Sequence, residues 1–277
     1  MKFRLILLTT LISLCVLSIT SSFLKAPAED YKKNHGYQWE QYDPSLFFQF
    51  QQVNDVIAAA NERFKPAERR KVDYFNFVAQ LIRQRFYHGY SYYSMTDNPL
   101  AFIAGKVHPH LSAIVMPEDI MKHPMAACSQ QAMVLMEIFK RSHIDYRKVG
   151  FANHYAVEAR IDGQWRYFDT NIEPKIQDNS ESLETLISSG RFDSGYKATK
   201  LNIQAIYQLE TTHSYGKIDA TPAPRAALFH KLCYLLVSKY FLTPTLFLAI
   251  LFMTPFKILS WRLRKSSSFG DRQVIKN

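Results

Sequence analysis

Apolar residues recur along this chain in helical stripes before the pattern shortens to that of strands. In the first stripe Phe50, Val53, Ile57, Ala60 and Phe64 share a face, behind the helix-start chemistry of Asp43-Pro44-Ser45, and Lys65-Pro66 breaks the run. The second takes Pro66 as its opening position and repeats the spacing through Val72, Phe75, Ala79, Ile82 and Phe86. The third starts at or near Cys128, with Ala132, Leu135, Met136 and Phe139 on one side, and ends around 140–142. After it, Tyr146, Val149 and Phe151 supply strand-favouring side chains, and HYAVEARIDGQWRYFDTN reads as two strands about the turn Asp162-Gly163. Beyond Pro174 only a short helix around 183–188 is legible, followed by weak signals as far as Tyr215. The pattern predicts an α+β domain: a helical subdomain packed on an antiparallel sheet.

The Asp-Gly turn also predicts a register. If Ile161 pairs with Gln164, Ala156 faces Asp169 and His154 faces Asn171. His154 and Asp169 then share a side of the hairpin as diagonal neighbours, roughly 7–8 Å apart at the backbone, a gap their side chains can bridge. A slip of one residue would put them on opposite faces.

The ends of the chain have a different pattern. Lys2 and Arg4 precede the uncharged LILLTTLISLCVLSIT, which reads as either a signal peptide or an anchor, the uncleaved anchor being preferred because no small-x-small cleavage site comes after it. YFLTPTLFLAILFMTPF, from Tyr240 to Phe256, carries no charge and reads as a membrane helix lengthened by the LCYLLVS before it. Residues 1–24 are thus expected to be a transmembrane anchor or signal segment, 25–45 a linker, 46–225 the folded domain, 226–262 a transmembrane segment and 263–277 a basic tail. The basic residues at both ends predict cytoplasmic termini at the cell inner membrane and an extracytoplasmic domain between them.

Composition adds limits. Hydrophobic residues make up 47% of the 277, enough for a core of ordinary size beside the two apolar ends. The net charge of +10 is partly a property of the flanks, and no basic cluster interleaved with aromatics suggests nucleic acid as a partner. Attraction to anionic lipid or acidic envelope polymers is compatible with it. Of the three cysteines, Cys15 and Cys233 lie in apolar terminal stretches, leaving Cys128 alone in the middle. No internal disulfide can then form within the domain.

Cys128, His154 and Asp169 are the candidate catalytic residues. A cysteine at a helix start meets unpaired backbone N–H groups and the positive end of the macrodipole, both of which favour the nucleophilic thiolate form. An imidazole can take the thiol proton, and a carboxylate can fix the ring's tautomer and steady its positive charge. The Cys128 backbone N–H is the natural oxyanion donor. Taken singly each residue is more often structural, the cysteine as a small buried filler. Their order along the chain is what points to chemistry.

At these residues the chain resembles the transglutaminase-like superfamily of cysteine enzymes, whose papain-like core also runs from a cysteine at a helix start to a histidine and an aspartate on successive strands. The features that carry the resemblance are Cys128 with Ala132 and Leu135, Ile144 and Arg147, His154 with Val157-Glu158, then Gly163, Trp165 and Asp169. It covers about fifty residues closely. One departure stands out: Ala126-Ala127 precedes the cysteine where the family usually carries Gly-x-Cys. The resemblance implies attack on an amide or peptide carbonyl of a protein or peptide substrate, a thioester, and transfer of the acyl group to an amine or to water, with no cofactor. A thiol protease or amidase of envelope peptides, or a catalytically silent binding module in a membrane assembly, are the alternatives.

Around this centre, Trp165, Asn171 and Tyr90 are the candidate substrate-binding residues, with Trp165 expected in the core or the pocket wall and Asn171 as a substitute orienter for the histidine if Asp169 points away. Tyr90, in the aromatic stretch YHGYSYY, is a candidate for cleft lining. His108-Pro-His110 lacks the further ligands of a metal site, and DNSESLE, from Asp178 to Glu184, lacks the ligand alternation of an EF-hand loop, so no metal is expected.

Overall fold

The computed structural model describes residues 40–172, 181–197 and 213–237, together with the isolated helical positions 9, 13 and 247. Apart from those isolated positions, the expected segment at 1–24, the linker as far as residue 39, the stretch after Val237 and part of the acidic run at 178–184 lie outside the described residues. Among the described residues no helix is long and apolar enough to cross a membrane.

The described chain is α+β. Its helices are α1 (Pro44–Gln49), α2 (Val53–Arg63), α3 (Val72–Arg85), α4 (Pro99–Val107), α5 (Pro117–Ile120), α6 (Cys128–Arg141), α7 (Leu183–Ser188), α8 (Arg191–Lys197) and α9 (Pro224–Val237). Strands β1 (Tyr146–Gly150), β2 (Tyr155–Ile161), β3 (Gln164–Phe168) and β4 (Ser214–Tyr215) form one antiparallel sheet in the order β3-β2-β1-β4.

The first predicted helix is two helices. The Asp55 carboxylate accepts the Gln51 and Gln52 backbone N–H groups at 2.8 Å each, which starts α2 afresh and leaves Phe50 outside both elements. Pro66 begins a short 3-10 turn, Pro66–Glu68, closed by Glu68 on the Lys65 N–H at 2.9 Å, so the next α-helix starts later, at Val72. The predicted hairpin register is the observed one: Ile161 pairs with Gln164 and Val157 with Phe168. Asp162 and Gly163 form its turn with φ of 51° and 78°, the left-handed values that suit Asp-Gly between twisted strands.

Strand alternation divides the interior in two. Tyr146, Val157, Ala159, Ile161 and Phe168 face a core built with α2, α3 and α6, where Val56, Phe75, Val78, Ile82, Leu135 and Phe139 are buried. Val149, Ala156 and Tyr167 point the other way, onto Leu183, Leu186, Phe192 and Tyr196 of α7 and α8. The fully buried Glu158 joins these layers: it pairs with Arg147 on β1 at 2.6 Å and accepts the Leu183 N–H at the start of α7 at 2.7 Å. Arg147 lies in turn against the rings of Trp165 and Tyr215, at 4.4 and 3.7 Å.

The approach to α6 is held by one buried cation. Arg85, at the end of α3, gives hydrogen bonds to the carbonyls of Phe50 (2.8 Å), His123 (3.0 Å) and Met121 (2.6 Å). It thereby ties the segment that leads into Cys128 to two amino-terminal elements. Residues 226–237, read from the sequence as the start of a membrane segment, belong to α9, which packs on α4 with His230 and Cys233 buried.

Candidate active site

Cys128 is the first residue of α6, where its backbone N–H has no acceptor one turn earlier in the helix. Gln130 organises this helix start. Its Oε1 accepts the N–H groups of Ala127 (3.1 Å) and Ser91 (2.9 Å), while its Nε2 donates to the carbonyls of Ser91 (2.9 Å) and Ile114 (2.8 Å). Tyr87 pairs with the segment before Cys128, its N–H reaching the Pro124 carbonyl at 3.2 Å and its carbonyl accepting the Ala126 N–H at 3.0 Å. The YHGYSYY stretch is therefore fastened alongside the cysteine.

His154 leaves the tight turn between β1 and β2, which is closed by the Phe151 N–H on the His154 carbonyl at 2.9 Å. Asp169 comes directly after β3. The predicted diagonal is realised as a contact: His154 Nε2 lies 2.6 Å from Asp169 Oδ2. The Cys128 side chain lies near enough to the ring to act on its charge. Since Nε2 is engaged by the carboxylate, Nδ1 is the nitrogen available to sulfur.

Asp169 is buried and surrounded by donors. Its Oδ1 accepts the Asn171 and Ile172 N–H groups at 2.9 and 3.0 Å, and its Oδ2 accepts the Tyr196 hydroxyl at 2.6 Å as well as His154. Arg83 Nη2 donates to the Asp169 carbonyl at 2.8 Å, which holds the backbone. Burial works to raise the Asp169 pKa, but the His154 charge and the bonds from His154, Tyr196 and Ile172 outweigh it and keep the carboxyl below its ordinary value. For His154 burial works to lower the pKa, yet the facing carboxylate and the Cys128 side chain push it up to about 10. The ring is thus held charged at neutral pH. Burial pushes the Tyr196 hydroxyl well above its ordinary value, so it stays a donor.

Such a set can support one kind of chemistry in particular. A sulfur beside an imidazolium, with a carboxylate behind the ring and a helix-start N–H alongside, suits nucleophilic attack on an acyl carbon. Cys128 keeps 8% of its surface open.

The other sequence candidates are placed differently. Asn171 does not orient His154; its buried side chain contacts His88 Nδ1 at 3.0 Å instead. Trp165 sits near the hairpin turn, paired with Arg160 and against the Arg147 and Arg160 guanidinium groups, and is not brought to the cysteine. Tyr90 is exposed, its ring 5.9 Å from that of Tyr92. His108 and His110 adjoin with ring centroids 5.3 Å apart, and among the described residues no group of three metal-ligating side chains occurs. A cavity of about 400 Å³ opens behind Asp169, lined by Asn76, Gln80 and Arg83 of α3 among others, but neither Cys128 nor His154 is in its wall.

Sequence reasoning missed Tyr196, Gln130 and Arg83. Tyr196 approaches Asp169 from a helix beyond the hairpin and has no spacing signal. Gln130 had one: a glutamine three residues after a helix N-cap is a capping-box position. No family model, curated protein or solved structure matches this chain.

Proposed function

We propose that this protein is a membrane-anchored cysteine enzyme of transglutaminase-like type, with a papain-like core, acting on an amide or peptide carbonyl. The observation that carries this reading is the buried His154–Asp169 pair, 2.6 Å apart, beside a cysteine that begins a helix. Cys128 sulfur attacks the carbonyl carbon, and the oxygen takes up negative charge near the helix-start N–H. Nδ1 of His154 gives its proton to the departing nitrogen, the carbon–nitrogen bond breaks and a thioester remains. An amine or water then attacks the thioester, its proton passes to His154, and the thiolate leaves. Asp169 keeps the ring oriented and charged. The apolar amino-terminal run and the apolar stretch after α9 hold the domain on the outer face of the cell membrane.

The test is product analysis of a peptide amide incubated with and without a primary amine. Incorporation of the amine identifies a transferase, carboxylate product alone a thiol protease or amidase, and both products should vanish in Cys128→Ala. Absence of either product over a broad peptide panel counts against an enzyme.

A second reading, a silent transglutaminase-like binding module, is favoured by one observation. The sulfur is nearly covered, and Ala126 and Ala127, both buried, stand where the family usually carries Gly-x-Cys. Alkylation of Cys128 by iodoacetamide, with peptide mapping of the product, separates the two. Rapid native-state reaction that is lost in His154→Ala supports the enzyme; reaction only after unfolding supports the module.

A further inference from the structure

From the two adjoining helices α4 and α9 we infer that the domain rests on the bilayer, with the outward faces of these helices seated in an anionic lipid interface. The inference rests on the membrane reading above and extends it from the terminal segments to the folded domain. Four residues carry the apolar face: Ile103 and Val107 on α4 are 52% and 87% exposed, and Leu228 and Leu232 on α9 are 59% and 50% exposed. Each pair is spaced by one helical turn, so both helices turn an apolar stripe outward while Ala101 and Cys233 turn inward.

The next segment of the chain indicates the medium that covers this surface. Helix α9 is described as far as Val237, and the sequence runs on through Ser238-Lys239 into the charge-free stretch Tyr240–Phe256. A segment of that length and polarity enters hydrocarbon, so the helix leading into it must lie within a few residues of the headgroups. The charges agree. The sequence contains no Asp or Glu from Ala220 to Gly270, or between Asn98 and Val115. The exposed charged residues on the two helices themselves are Lys106, Arg225 and Lys231. Lys106 extends over the Phe102 ring at 4.6 Å, apolar stem and charged tip in the arrangement an interface favours. The carboxylate that comes nearest, Asp119, lines a cavity beside His230, Lys231 and Tyr234 of α9 and is paired with Lys122 at 2.6 Å. Apolar stripes whose own helices carry cations and no carboxylate fit anionic lipid, since each cation near such a surface adds attraction that an unpaired carboxylate would cancel.

The experiment places photoreactive p-benzoylphenylalanine, one site at a time, at Ile103, Val107 and Phe247 of the full chain reconstituted in vesicles containing phosphatidylglycerol. Adducts are then identified by mass spectrometry. Lipid adducts at all three sites, with those at Ile103 and Val107 reduced several-fold in phosphatidylcholine alone, are expected. Lipid adducts at Phe247 without any at Ile103 or Val107 overturn the interfacial surface and leave the anchor standing. Adducts of Ile103 or Val107 with residues 1–24, or with a second copy of the chain, replace lipid by that occupant. Absence of lipid adducts at all three sites removes the membrane reading, and the surface with it.

Discussion

Replacing Asp169 by asparagine preserves the shape of the site and removes the charge that the imidazole faces. The rise of His154 from 6.5 to about 10 is worth about 5 kcal/mol of preference for the charged ring in the folded state. Because the folded value is the higher one, this stabilisation is complete below the unfolded value of 6.5 and is lost as pH climbs towards about 10. At pH 7 about 4 kcal/mol of it remains. The new amide would keep an oxygen for the Asn171 and Ile172 N–H groups, so the damage is confined to the ring and the Tyr196 hydroxyl. Asp169→Asn is therefore expected to lose about 3–5 kcal/mol at pH 7, the range for stripping one member from a buried ion pair. Urea unfolding at pH 6, 8 and 10 measures it. The native protein should weaken across this range with a slope approaching about 1.4 kcal/mol per pH unit, and the variant should not. Imidazole nitrogen resonances give the independent reading: His154 charged at pH 7 in the native protein and neutral in the variant. A native His154 that titrates near 6.5, or a variant that keeps the full pH slope, would refute the reasoning.

Single contacts elsewhere give three further expected outcomes. Arg85→Met leaves the carbonyls of Phe50, Met121 and His123 without their donor and should cost about 3 kcal/mol in thermal or urea unfolding. Gln130→Ala removes four buried hydrogen bonds around the start of α6 and should cost about 2–4 kcal/mol. The Ser91 amide should then exchange with deuterium faster, which a loss confined to α6 would not produce. Tyr196→Phe takes one donor from Asp169 and should cost about 1–2 kcal/mol. It should also raise the Asp169 pKa, which the pH dependence of the Asp169 carboxyl carbon resonance reads directly.

Much of the site was legible because its parts are local. A two-residue turn sets a hairpin register, a register sets which side chains share a face, and so Asp162-Gly163 was enough to bring His154 and Asp169 to one side. Helical periodicity behind Cys128 likewise placed the cysteine at a helix start. Where the reading failed, a side chain outside the pattern had intervened. Asp55 restarts a helix that apolar spacing alone would continue from Phe50. Asn171 turns to His88, a residue far earlier in the chain, which no pairing rule within the hairpin could anticipate.

The tertiary structure decided the partners that come from distant segments. Tyr196 reaches Asp169 from beneath the sheet, Gln130 clamps the 87–91 stretch beside Cys128, and Arg85 gathers carbonyls from two separate loops. Each answers a buried polar group's need for a partner, and that need can be met from any part of the chain that packing brings near. Periodicity and turn chemistry act over a few residues and are written in order. Satisfying a buried carboxylate or carbonyl is a condition on space, so its solution emerges only when the layers are assembled.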